Sequence, residues 1–131
     1  MEIIRHKVRE IITVRVEPGQ CLMGTIESAM KEIGGNAIVV SGVGSLSKAF
    51  LANPGSLDRQ QVMRMIKRKE LDGPLEIVSL VGAVGPAHAH EDRMSHIHIA
   101  LSRHDGPDTG GILMYGSEAW FPVEVYLLTY E

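Results

Sequence analysis

Only one stretch of this 131-residue chain carries helical periodicity, and the other patterned stretches read with the two-residue period of strands. Leu22, Ile26, Ala29, Met30 and Ile33 recur at three- and four-residue spacing, with Glu27, Lys31 and Glu32 off that stripe. The spacing predicts one amphipathic helix over about residues 20–33. Pro18-Gly19 stands before it, and Gly34-Gly35 stops it, since glycine readily takes the left-handed conformation that ends a helix. A single helix cannot enclose a core alone, so its apolar stripe needs a sheet to cover.

The strand signals are numerous and short. Residues 3–9 and 11–16 alternate, and Ile12-Thr13-Val14-Arg15-Val16 does so cleanly, as a half-buried strand requires. The stretch Ala37 to Ser41, apolar up to its closing serine, predicts a strand covered on both faces. Residues 47–52, 62–69, 75–84, 94–102, 112–115 and 123–130 add further strands, the last with Val123, Val125, Leu127 and Thr129 on one side. Asn53-Pro54-Gly55, Asp72-Gly73-Pro74, Gly85-Pro86 and the stretch from Asp105 to Gly111 read as turns or loops. The expected class is α+β: a mainly antiparallel sheet of about seven to eight strands with one main helix, in one domain over residues 1–131. Gly42-Val43-Gly44-Ser45 reads as a tight turn, because no lysine follows at Walker spacing and no full dinucleotide fingerprint is present.

Composition narrows the setting. Aromatic residues are only 5% of the chain, so Val, Ile, Leu, Met and Ala must fill the core. Cys21 is the single cysteine, which excludes an intrachain disulfide and fits a reducing compartment. Residues 1–17 lack the apolar run of a signal peptide, and no run approaches the roughly 18 residues of a membrane span. A cytoplasmic location is therefore expected. The net charge of −3 argues against a dedicated nucleic-acid binder. Two local basic stretches remain, Arg5 to Arg9 and Arg64 to Lys69, and Arg64, Lys67, Arg68 and Lys69 are the candidate nucleic-acid contacts, set against a reading as a solvated strand face.

Four of the six histidines fall within eleven positions, as His88-Ala89-His90 and His96-Ile97-His98. Residues two apart in a strand share a face, so His96 and His98 project side by side, with Ile97, Ile99 and Leu101 on the other face. Two neutral imidazoles at that spacing can bind one divalent metal, while the alternative is a polar, partly wet sheet face. A catalytic zinc takes three protein ligands, and His88, His90, Asp92, His104 and Asp105 are the nearby residues to complete such a set. Glu76 is a candidate proton carrier. Cys21 reads as an inert thiol at the helix start, and Trp120-Phe121-Pro122 as core or subunit contact.

Several segments in order resemble one family. They are Val16-Glu17-Pro18-Gly19-Gln20 before the helix, and Val40-Ser41-Gly42-Val43-Gly44-Ser45-Leu46 after the next strand. Then come Leu75-Glu76-Ile77-Val78-Ser79-Leu80-Val81-Gly82, His96-Ile97-His98-Ile99-Ala100-Leu101-Ser102, and Gly110-Gly111-Ile112-Leu113. Over roughly residues 10–130 this order resembles the PPC domain, conserved in plants and prokaryotes, in its stand-alone prokaryotic form without an AT-hook.

The resemblance implies an antiparallel sheet with a flanking helix, assembling as a homotrimer, and a DNA-associated or protein-binding role. It also implies a metal, zinc foremost, held by the His-x-His pair and a third histidine from a Gly-Gly-His-Leu segment. His96 and His98 match the pair, but Ile112 stands at the third position. The site is then either lost or completed by His88 or His90. The leading expectation is a homotrimeric binding or assembly module whose partner is DNA or another protein. The rival is a metal-dependent enzyme acting on a small polar or carboxylate metabolite through His96 and His98, with Glu76 or Asp92 moving protons. The zinc enzyme acetolactate decarboxylase, related in fold, is an analogy for that rival.

Overall fold

The apolar stripe forms α1 (Leu22–Ile33) in a computed structural model that describes residues 1–90 and 92–131. Cys21 is the N-cap, its Sγ accepting from the Gly24 N–H at 3.5 Å, and Gly34 closes the helix with φ 83° and its N–H on Met30. Leu22, Met23, Ile26 and Met30 are buried in the main apolar cluster. Glu27, placed off the stripe by its charge, is buried as well. It falls four residues after Met23 and three before Met30, which puts it on the covered face. Its carboxylate accepts from the Met94 N–H at 3.0 Å, the Ser95 hydroxyl at 2.7 Å and the Tyr115 hydroxyl, so it pins the helix to two other parts of the chain.

The remaining elements are β1 (Glu10–Val16), β2 (Asn36–Val43), β3 (Ser45–Pro54), β4 (Ile66–Val84), β5 (Ser95–Arg103), β6 (Gly106–Leu113), β7 (Glu118–Ala119) and β8 (Val123–Tyr130). All eight join one antiparallel sheet in the order β1-β8-β2-β4-β5-β6-β3-β7. The 19-residue β4 also pairs with β3, from Ser45↔Glu76 to Pro54↔Ile66, while its later part pairs with β5 and β2. Two pairs between β3 and β6, Leu51↔Leu113 and Ala52↔Ile112, then close β3, β4, β5 and β6 into a ring. One face of the sheet packs α1 against Val39, Val123, Val125, Leu127, Ile97 and Leu80. The α+β class and the side assignment of Val123, Val125, Leu127 and Thr129, all buried, are as expected.

Several boundaries differ from expectation. Residues 3–8 are exposed and form no strand; Arg9 ties that arm down through its N–H on Thr129 and its guanidinium on Gly34, and the His6 ring lies 4.0 Å from that of Tyr130. Asp72-Gly73-Pro74 is not a turn but the middle of β4. A Cβ at Gly73 would stand 2.5 Å from the Leu46 carbonyl oxygen, so glycine is there to let β3 pass close. Residues 106–113, expected mainly as loop, are β6, and β4 begins at Ile66 after turns over residues 59–64. The stretch 37–41 is covered on one face only: Ala37 and Val39 are buried, while Ile38 and Val40 are about half exposed. Trp120 and Phe121 are exposed rather than core. Among the described residues, no helix is long and apolar enough to cross a membrane.

The Glu27 network yields a prediction. Glu27→Ala strands two side-chain hydroxyls and a backbone N–H, and is expected to lower unfolding stability in urea by about 3 kcal/mol. Glu27→Gln, which keeps an acceptor oxygen, should lose clearly less.

Candidate functional site

His96 and His98 stand on the β5 face away from the core, as their spacing requires, opposite Ala83 and Val81 of β4. Ile97, Ile99 and Leu101 are buried on the other face. Between Ala83 and Val81, Gly82 takes φ 154°, and a Cβ there would lie 2.1 Å from the His96 carbonyl oxygen. Only glycine lets β4 approach β5 this closely where the two imidazoles are presented.

The Nε2 atoms of His96 and His98 lie 3.2 Å apart. Two nitrogens bound at about 2.0–2.1 Å to one tetrahedral metal would sit roughly 3.3 Å apart, so the pair matches that geometry. His90 stacks on His96 with ring centroids 6.5 Å apart, held by a bridge between His90 and Arg93. His88 bonds the Tyr130 hydroxyl through Nε2. A shallow depression is lined by Val81, Gly82, Ala83, His88, His96 and His98. Ile112 lies opposite His98 across the β5–β6 ladder and opposite Ala52 of β3, so the position where the resemblance implies a third imidazole directly adjoins the pair. Among the described residues, no group of three or more His, Cys, Asp or Glu side chains is arranged to hold a metal ion. The described donors therefore fit half of a metal site.

The other candidates are dispersed. His104 and Asp105 sit in the β5–β6 turn, roughly 20 Å along the strand from His98 at about 3.3 Å per residue. Glu76 is exposed opposite Ser102, a similar distance along β4 from the histidines. Arg64 lies in the turns before β4. Strand alternation puts Lys67 and Lys69, opposite Asn53 and Leu51, on one side of β4, and Arg68, opposite Ala52, on the other.

Charge is disfavoured around the histidines. Burial first, then His98, Arg93 and His90, push the His96 imidazole below its ordinary value. Burial and then His6 do the same to His88. Burial and the Glu27 carboxylate push the Tyr115 hydroxyl upward, so it stays a donor to Glu27. Sequence reasoning overlooked the Glu27–Tyr115 pair, whose only signal was the Met23, Glu27, Met30 spacing.

His88 gives a direct check by imidazole NMR titration. Its midpoint should lie below 6.5, and His6→Ala should raise it by removing the neighbouring cation. Because the fold favours neutral His88, acidification through about pH 6.5 protonates the unfolded chain first and withdraws stability as pH falls. An unshifted midpoint in His6→Ala would contradict the assigned repulsion.

Comparison with known proteins places the fold. A metal-containing protein of Archaeoglobus fulgidus is 30% identical, with TM-score 0.79, covering 100% of this chain and 86% of that one. A plant- and prokaryote-conserved protein of Pyrococcus horikoshii is 25% identical, with TM-score 0.80, covering 100% and 85%. A proposed DNA-binding protein of Bacteroides thetaiotaomicron shares the fold at 17% identity, with TM-score 0.74, over 96% and 85%. Curated proteins give no match. The family model described as the Plants and Prokaryotes Conserved (PCC) domain matches residues 5–131. With the ordered segments around Gly42, Gly82 and His96 all in place in the sheet, the chain belongs to the Plants and Prokaryotes Conserved domain family.

Proposed function

We propose that this chain is a homotrimeric binding and assembly module whose subunits meet through the sheet face opposite α1. The observation that carries this reading is the apolar character of that face. Ile38, Val40 and Val81 are 46%, 47% and 48% exposed within one chain. A row of directly opposed residues runs Ile11–Leu128–Ile38–Ala83–His96 across β1, β8, β2, β4 and β5, and Val81 opposes His98 beside it. Opposed residues share a face, so these side chains form one continuous surface. Such a surface is unusual on a monomer and suits an interface between copies. The homotrimer implied by the family resemblance supplies the occupant: about a threefold axis, each copy lays this face against a neighbouring copy.

The partner of such a module is better matched by protein than by DNA. Each chain carries −3, so a trimer carries about −9, which opposes a phosphate backbone. The basic residues of β4 are also divided between its two sides. The Bacteroides protein's proposed DNA role belongs to a relative that shares only the fold.

Sedimentation velocity at micromolar concentration is expected to give about three times the 14.3 kDa chain mass. Val81→Asp, which places charge in the centre of the face, should shift the mass to that of a single chain with the fold retained by circular dichroism. A wild-type monomer would remove this reading.

A second reading rests on the 3.2 Å separation of the His96 and His98 nitrogens. These two residues hold a divalent metal, zinc foremost, with His90 or His88 as the third donor. The Archaeoglobus relative, a metal-containing protein, lends it support. Bound there, the metal would supply a Lewis acid beside the apolar position of Ile112. Protein purified without a His-tag should take up zinc in calorimetry, His96→Ala should abolish uptake, and one of His90→Ala and His88→Ala, whichever removes the third donor, should weaken it at least about tenfold. Zinc binding unchanged by His96→Ala would contradict the assignment.

A further inference from the structure

Beside the histidine pair, on the other side of Ile112, lies a hollow of about 270 Å³ that neither reading above uses. Ala52 and Ile112, paired across β3 and β6, line it together. Met63 and Ile66, from the chain entering β4, extend its apolar lining. Two guanidinium residues from different parts of the chain reach the same space: Arg68 of β4 and Arg93 of the loop before β5. Asp92 and Tyr115 also line it.

The chemistry of that wall is specific. Arginine remains charged at any physiological pH, and its planar donors match a carboxylate. Neither Arg68 nor Arg93 forms an ion pair among the described residues. Arg93 donates Nη1 to the Met114 sulfur at 3.4 Å, a weak acceptor that leaves its other donors available. Among the described residues that line the hollow, two guanidiniums stand against one carboxylate, Asp92, and the Glu27 carboxylate behind Tyr115 is already engaged by three donors, so the wall carries at most one uncompensated positive charge, which suits a monoanion better than a multiply charged ligand. At about 30 Å³ per water-sized group, the hollow holds roughly nine non-hydrogen atoms. Ile112 is central to the argument. A histidine at that position would present a polar ring, whereas isoleucine makes the same wall apolar and able to cover a hydrocarbon tail.

We infer that this hollow is a binding site for a small organic monocarboxylate with an apolar tail, its carboxylate held by Arg68 and Arg93 and its tail laid on Ala52, Ile112, Met63 and Ile66. The site needs no metal and no particular oligomeric state, so it stands apart from both readings of function.

The test is an NMR titration of the wild-type protein with sodium hexanoate, alongside 1-hexanol and sodium acetate at matched ionic strength. Saturable shifts are expected at Ala52, Ile66, Ile112 and Met114, with hexanoate binding at least about tenfold more tightly than either control. Hexanol lacks the charge and acetate lacks the tail, so each control removes one half of the recognition. Arg68→Met should weaken hexanoate about tenfold while leaving hexanol unchanged. Hexanoate no tighter than hexanol, or no tighter than acetate, would overturn the inference, as would shifts that bypass the hollow. The three-ligand comparison uses only wild-type protein, so it decides the matter even if the Arg68 variant does not fold.

Discussion

The pairing of β4 with β5 is the constraint on which the rest of this structure depends. β4 is long enough to serve three neighbours, meeting β3 with its first part and β2 and β5 with its last. That sharing turns an open sheet into one whose central strands close on themselves. It also fixes the candidate surface, because the register Ala83↔His96 and Val81↔His98 sets both imidazoles beside the apolar row of β2 and β4. Gly82 makes the close approach sterically allowed, since any Cβ there would meet the β5 backbone. On the opposite face, the buried Glu27 carboxylate ties α1 to the start of β5, so the helix and the histidine strand are held as one unit.

How much of this was legible in the sequence depended on whether local pattern or tertiary context decided the outcome. The helix, the β5 alternation and the buried side of β8 are set by periodicity, and periodicity revealed them. Asp72-Gly73-Pro74 carries every local sign of a turn, yet the chain continues as a strand because a neighbouring backbone occupies the space a side chain would need. Residues 3–8 have strand character but pair with no strand among the described residues. The apolar run from Ala37 to Val40 implies cover on both faces, and one chain supplies only one of them. Glu27 was hidden because a charge on a helix is ordinarily read as solvent-facing, and its partners come from residues 94, 95 and 115.

The site was half legible for the same reason. Spacing alone aligned His96 with His98, and the structure brings their nitrogens to 3.2 Å. Ile112 was recognisable as a departure from the family motif. What the sequence could not display is that Ile112 has Ala52 and His98 as opposite neighbours, with Arg68 and Arg93 on the wall of the same hollow. Isoleucine, where the resemblance implies an imidazole, sets an apolar wall beside two cations, and this is the arrangement from which the monocarboxylate site is inferred.

The central claim is that the sheet face bearing Ile38, Val40 and Val81 is covered by other copies of the chain. Methyl NMR with a soluble gadolinium chelate tests it most directly, because the agent broadens only methyls that water reaches. Leu57, on an exposed turn, provides an internal standard of full access. The account predicts that Leu57 broadens strongly while Ile38, Val40 and Val81 remain sharp in the native protein. Broadening of those three methyls in proportion to their exposure in the single chain would contradict it.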